Sequence, residues 1–192
     1  QNAGAFGEYL GRRYKNQPLV WVLGGDRAIA DPQDAEIIRA MASGLKKGDG
    51  GAHLMTFHPM GARSSSEYFN NDKWIDFHMS QTGHSSTSQN YKFNIKNRAL
   101  TPTRPHVDGE PRYEDHPNQF DPVKFGWMDD FDARQTAYSS MLSGAFGHTY
   151  GNHNIWQFYA EGRAPISGAR THWKIAMSHA GVAPGGTLYS SY

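Results

Sequence analysis

The sequence predicts an α/β fold built on parallel strands, as a sheet or a barrel. Three observations carry this. Short apolar runs alternate with longer amphipathic stretches, which is the rhythm of repeated βα units. Each run ends in a loop rich in His, Asp, Glu, Arg or Trp, and in parallel α/β folds the chemistry collects at the C-terminal ends of strands. The chain has 192 residues, enough for one domain with a substantial core.

The first run, Leu19-Val20-Trp21-Val22-Leu23, closes at Gly24-Gly25-Asp26-Arg27. An unbroken apolar run ended by glycines reads as a strand buried on both faces. Asp31 then suits a helix N-cap and Pro32 the first helical position. Ile37, Ile38, Met41, Ala42 and Leu45 recur at helical spacing, and Lys46, Lys47 and Gly48 supply C-terminal cations and a stop. A second strand reads from His53-Leu54-Met55-Thr56-Phe57 to His58-Pro59, followed by a polar loop with Arg63 and three serines. Residues 76–81 read as a third strand, with its polar end at 81–84, and residues 88–100 as a weakly patterned helix. Pro105-His106-Val107 forms a fourth strand running into Asp108-Gly109-Glu110-Pro111. Asp129 or Asp130 caps a helix through Met141. Ala145-Phe146-Gly147-His148-Thr149-Tyr150 gives a fifth strand, and residues 171–180 a last helix.

Composition removes several function classes. Aromatic residues make up 13% of the chain, which argues against disorder. The net charge of +1 leaves no electrostatic footprint for nucleic acid or an anionic membrane. No apolar run approaches the length of a membrane-spanning helix. There is no cysteine, so disulfides, thiolate metal sites and cysteine nucleophiles are all excluded.

Two strand ends carry carboxylates. Asp26 follows a glycine pair, where the backbone turns sharply and a ligand can approach. An N-cap or a salt bridge to Arg27 would explain it equally well. Glu110 sits in Asp108-Gly109-Glu110-Pro111-Arg112-Tyr113-Glu114, a run with three carboxylates within seven residues beside an Arg and a Tyr, which would keep a nucleophilic carboxylate ionised and oriented. The competing reading is a solvated acidic turn. Two carboxylates on different strands of one barrel are what glycoside hydrolysis requires. The ten histidines invite a metal reading, but no His-x-His or His-Glu-x-x-His occurs, so hydrogen-bonding or packing roles are favoured. Trp74, Trp127, Trp156 and Tyr150 are core or loop-packing residues by default, or stacking platforms for a sugar.

The stretches Trp21-Val22-Leu23-Gly24-Gly25-Asp26-Arg27, Phe57-His58-Pro59, Gln81-Thr82-Gly83-His84, Asp108-Gly109-Glu110-Pro111-Arg112-Tyr113-Glu114 and Gly147-His148-Thr149-Tyr150-Gly151 together resemble the apiosidase-like (β/α)8-barrel family, glycoside hydrolase family 140. The resemblance spans nearly the whole chain. It implies a (β/α)8 TIM barrel of which this chain holds the C-terminal half, about strands 4–8, with residues 1–16 as the third helix. It implies Asp26 as general acid/base and Glu110 as nucleophile, with His58, Gln81, His84, Arg112, His148 and Tyr150 at the sugar. The implied substrate is an oligo- or polysaccharide of the plant cell wall, with apiose in pectin (rhamnogalacturonan II) as the family-level expectation. No cofactor and no metal are implied. The expected location is periplasmic or extracellular in a bacterium, because a polysaccharide cannot enter the cytoplasm.

A half barrel leaves open strand edges. The expectation is therefore that residues 1–192 are part of one catalytic barrel domain within a longer polypeptide, whose remainder closes the barrel. The family's C-terminal β-sandwich is not in this sequence, and the polar run ending at Tyr192 reads as a cut end. Two other classes fit parts of the pattern: a metal-dependent barrel hydrolase using the histidines, and a non-catalytic carbohydrate-binding barrel.

Overall fold

The computed structural model describes residues 2–181. The polar run up to Tyr192 lies outside the described residues. The chain divides into two compact units, one of residues through Gln81 with Lys96–Val107, the other of Thr82–Ile95 with the residues from Asp108 on.

The first unit opens with α1 (Asn2–Tyr14), β1 (Trp21–Gly24), α2 (Pro32–Asp49) and β2 (Met55–His58). β1 and β2 pair in parallel, with Trp21 opposite Met55 and Gly24 opposite His58, so both strands end at one edge. Asp31 caps α2 as its sequence predicts: its carboxylate accepts from the Gln33 and Asp34 amides at 2.7 and 3.1 Å. Asp34 returns the favour to the Asp31 amide, completing a capping box.

α1 lies against α2 through glycines. A Cβ on Gly7 or Gly11 would stand 2.5 Å from the Met41 or Leu45 carbonyl oxygen. Gly44 and Gly48 face the Gly4 and Glu8 carbonyls even more closely. The two backbones therefore touch, and no side chain fits between them. Beneath them Leu23, Ala42, Leu45, Met55, Phe57, Phe69, Trp74 and Ile75 form the unit's apolar core. Phe69 meets Phe57 and Trp74 edge-on at centroid distances of 4.9 and 5.1 Å. Trp74 is thus a core residue.

Two expectations are corrected here. β1 is not buried on both faces: Leu23 is 5% exposed, but Val22 is 50% exposed. The side chains alternate, and the unit covers only the face that carries Leu23. The polar segment after Pro59 is also not a plain loop. It folds as β3 (Arg63–Ser64), antiparallel to β4 (His78–Gln81), and a single turn, α3 (Ser66–Phe69). Ser64 and Ser65 are buried there. Ser64 donates to Asn97 Oδ1 at 3.1 Å, and the Ser65 hydroxyl pairs with His78 Nδ1 at 3.0 Å. Satisfied hydroxyls can be buried where a loop reading expects solvent.

α4 (Tyr91–Arg98) and β5 (His106–Glu110) carry the chain from the second unit to the first and back. In the first unit the start of β5 runs beside β4: the His78 amide donates to the Pro105 carbonyl at 2.8 Å, and the Ser80 hydroxyl pairs with His106 Nε2 at 2.7 Å. The second unit continues with α5 (Pro122–Phe125), α6 (Asp130–Leu142), β6 (Gly147–His148), α7 (His153–Trp156) and α8 (Trp173–Ala176). Asp129 caps α6 with a second capping box. The Thr149 amide donates to the Asp108 carbonyl at 3.0 Å, setting the end of β6 beside β5. The expected last helix over 171–180 is a single turn, α8.

Candidate active site

Each proposed site residue stands at or just past the C-terminal end of a strand, or in the loop that follows it. In the first unit Asp26 follows β1 and is exposed, with a left-handed φ of 50°. Its amide lies 3.3 Å from His58 Nδ1. The same nitrogen lies 2.9 Å from the Pro59 carbonyl, so the tautomer decides which of the two bonds His58 makes. Gln81 ends β4 and is buried, opposite Arg63 in the hairpin.

In the second unit Glu110 ends β5. Its Oε1 is 2.9 Å from His84 Nε2. An ionised carboxylate accepts only, so His84 carries the proton on Nε2. His84 is held on three sides. Its ring stacks on His116 at 4.3 Å and 11°, meets Tyr113 edge-on at 5.1 Å, and meets Phe120 edge-on at 5.6 Å. A Cβ on Gly151 would fall inside the Tyr113 ring, so only glycine lets that ring lie flat on the chain.

His116 is buried, and burial pushes its pKa down to about 3, so it is a neutral imidazole under His84. It donates from Nδ1 to the Pro117 carbonyl at 2.8 Å. His153 meets it edge-on at 4.4 Å and donates from Nε2 to the Ile166 carbonyl at 3.0 Å. Phe120, 60% exposed, leaves an apolar ring at solvent beside this column and adopts a left-handed φ of 61°. Such a backbone is unusual for a bulky residue.

Asp108 precedes Glu110 by two residues and is 1% exposed. Its Oδ2 accepts from Thr82 Oγ1 at 2.7 Å, Asn90 Nδ2 at 3.1 Å and Ser140 Oγ at 3.4 Å. Burial raises its pKa to about 6 against those hydrogen bonds, with the Glu110 charge adding to the rise. Glu114 is buried as well, and its Oε2 accepts from the Tyr150 hydroxyl at 2.5 Å. Arg112 is buried. Its guanidinium donates to the Ser88 carbonyl at 2.7 Å and to Gln135 at 2.5 Å, and it lies 3.6 Å from Asp132. Those contacts tie the 84–90 loop to α6. His148 has its pKa lowered by burial to about 4, and its Nδ1 has no partner among the described residues.

His84 and Glu110 are thus brought together, and Tyr150 is paired with Glu114. Sequence reading did not single out Thr82, Asn90 or His116 as partners in this arrangement. Asp108 and Glu114 were visible only as members of an acidic run, and strand alternation across Gly109 does not say which of them turns inward. The remaining histidine pairs are internal. His53 bridges Asp49 Oδ2 at 2.9 Å and the Gln17 carbonyl at 2.8 Å. Among the described residues no group of three His, Cys, Asp or Glu side chains could hold a metal ion. Trp127 lies under the Arg170 guanidinium at 3.9 Å, and Trp156 is 47% exposed.

A carboxylate at a strand end, oriented by an imidazole N–H and flanked by an exposed aromatic ring, suits attack on a sugar. The model of the apiosidase-like catalytic domain matches residues 1–189. The chain belongs to the apiosidase-like family. A solved structure named as a glycoside hydrolase superposes with a TM-score of 0.87 at 35% identity, covering 94% of this chain and 44% of that one. A glycoside hydrolase family 5 protein from Bacteroides vulgatus ATCC 8482 gives 0.86 at 34% identity, covering 93% and 42%. The chain therefore spans less than half the length of these two solved structures. No curated protein matches it. The chain is a glycoside hydrolase-like domain of mixed α/β architecture with parallel strand pairing, consistent with part of a barrel.

Proposed function

We propose that this chain supplies the catalytic carboxylates of a retaining glycoside hydrolase. Glu110 attacks the anomeric carbon, the glycosidic C–O bond breaks, and Asp26 gives its proton to the departing oxygen. Asp26 then takes a proton from water, which displaces Glu110 from the glycosyl-enzyme intermediate. The observation that carries this reading is the 2.9 Å bond between His84 Nε2 and Glu110 Oε1 at the end of β5. A donor on one carboxylate oxygen keeps the group ionised and fixes its direction, as a nucleophile needs. The substrate class we propose is a plant cell-wall polysaccharide, with apiose in pectin first among the candidates. Its size places the enzyme in the periplasm or outside the cell. His58, Gln81, His148 and Tyr150 are the candidate sugar contacts, and the remainder of the polypeptide is proposed to complete the barrel.

The test is turnover by the full-length protein on 4-nitrophenyl apiofuranoside and on pectic oligosaccharides. Glu110→Gln and Asp26→Asn should each lower kcat by orders of magnitude, and the first-formed product should keep the anomeric configuration of the substrate. Near-normal turnover in both variants would remove the assignment. Inversion at the anomeric carbon would remove the retaining mechanism.

A further inference from the structure

We infer that Asp108 and Thr82 form a positioning pair that sets His84 against Glu110. The inference rests on Glu110 being the nucleophile. The loop that carries His84 is anchored to the end of β5 twice through its backbone. The Thr82 and Gly83 amides both donate to the Glu110 carbonyl at 2.9 Å. That clamp fixes where the loop starts but not how it is rotated, because two amides on one oxygen share a single pivot. The third anchor supplies the rotation. Thr82 Oγ1 donates to Asp108 Oδ2 at 2.7 Å, on the strand residue two before Glu110. With Thr82 held at its amide and at its hydroxyl, the path to His84 is two residues long.

Asp108 is itself fixed. Asn90 Nδ2 reaches its Oδ2 at 3.1 Å and also lies 2.7 Å from the Thr136 carbonyl and 2.8 Å from Ser140 Oγ. The anchor is thus tied into α6, a thirteen-residue helix, rather than into another loop. Gly83 has no room for a side chain, since a Cβ would stand 2.6 Å from the Pro111 carbonyl carbon. The loop is therefore packed against β5 as well as held by its three hydrogen bonds. Asp108 needs no contact with a substrate for this role. Its buried Oδ2, receiving three donors, is a fixed acceptor of the kind used to support a reacting group at one remove.

The experiment uses the full-length protein labelled with 15N. The imidazole Nε2–H of His84, bonded to Glu110, should give a slowly exchanging downfield proton, assigned by its loss in His84→Gln. Thr82→Val keeps the shape of the side chain and removes the hydroxyl, while Thr82→Ser keeps the hydroxyl. The signal should broaden or disappear in Thr82→Val and persist in Thr82→Ser. On 4-nitrophenyl apiofuranoside, Thr82→Val should lower kcat about tenfold or more with KM nearly unchanged, and Thr82→Ser should restore it. Asp108→Asn keeps an acceptor oxygen and should fall between the two. A Thr82→Val protein with an unchanged His84 signal would overturn the inference, with or without turnover. If Glu110→Gln turns over normally while the signal behaves as expected, the nucleophile assignment fails and the positioning pair stands as a structural one.

Discussion

Replacing Gly44 with alanine sets two effects of opposite sign against each other. In an exposed helix interior the change gains about 1 kcal/mol, because glycine loses the most backbone entropy on folding. At Gly44 the new methyl would meet the α1 backbone. It would stand 2.8 Å from the Glu8 nitrogen and 3.0 Å from the Gly4 carbonyl carbon, and closer still to the Gly4 oxygen. These are main-chain atoms in the middle of a helix, so they cannot swing aside. α1 and α2 must part by something on the order of 0.5–1 Å, which forfeits a quarter to a half of each close contact between them. Overpacking of this kind costs about 1–3 kcal/mol. We expect Gly44→Ala to destabilise by up to about 2 kcal/mol net, and to lower Tm by up to about 8 °C in a protein of this size or larger. Gly4→Ala is the control. Its Cβ would meet only the Ala40 carbonyl, at 3.5 Å, an ordinary contact, so it should leave Tm unchanged or raise it. Thermal melts of the two variants, read by circular dichroism, decide the matter. A Gly44→Ala protein as stable as Gly4→Ala would show that the helices do not touch along these glycines.

Acidification should destabilise the fold. His78, His106 and His148 have pKa values lowered to about 4 and His116 to about 3, in each case first by burial. Their contribution is complete above the ordinary value of 6.5 and is lost as pH falls from there towards 4, because the unfolded chain takes up protons first. Asp108, raised to about 6, and Asp132, also raised by burial, act the other way, losing their contribution as pH rises, but they are two groups against four. Tm should therefore drop between pH 7 and pH 5, and a flat or rising Tm would refute the buried neutral histidines. Gly83→Ala should drive the loop off the Pro111 carbonyl and carry His84 with it. A displacement of about 1 Å at a reacting group costs on the order of a hundredfold in rate. On the proposed mechanism kcat should fall by that much, and unchanged turnover would mean that His84 does not hold the nucleophile.

Local features were legible because their causes are local. The Asp31-Pro32 start of α2 and the Asp129 start of α6 depend on a side chain reaching amides two and three residues away. The strand ends at Gly24, His58, Gln81 and Glu110 lie where the sequence places them, whereas the fifth strand, read over residues 145–150, is only Gly147–His148. The short strand at Arg63–Ser64 was not legible, because its burial depends on His78 and Asn97, distant in sequence, satisfying its serines. The exposure of Val22 was equally hidden, since an apolar run is the same string of letters whether one face is covered or two.

The sequence by itself determined the βα rhythm, the strand ends that carry Asp26 and Glu110, the capped helices, and the family that these motifs spell. The tertiary structure decided what touches what. It put His84 on Glu110 across 26 residues, Thr82 on Asp108 across another 26, and the glycines of α1 against those of α2. The physical reason is one of range. Caps and strand periods are set within a turn or two of chain, whereas the direction of a carboxylate and the closeness of two backbones depend on partners that only folding delivers.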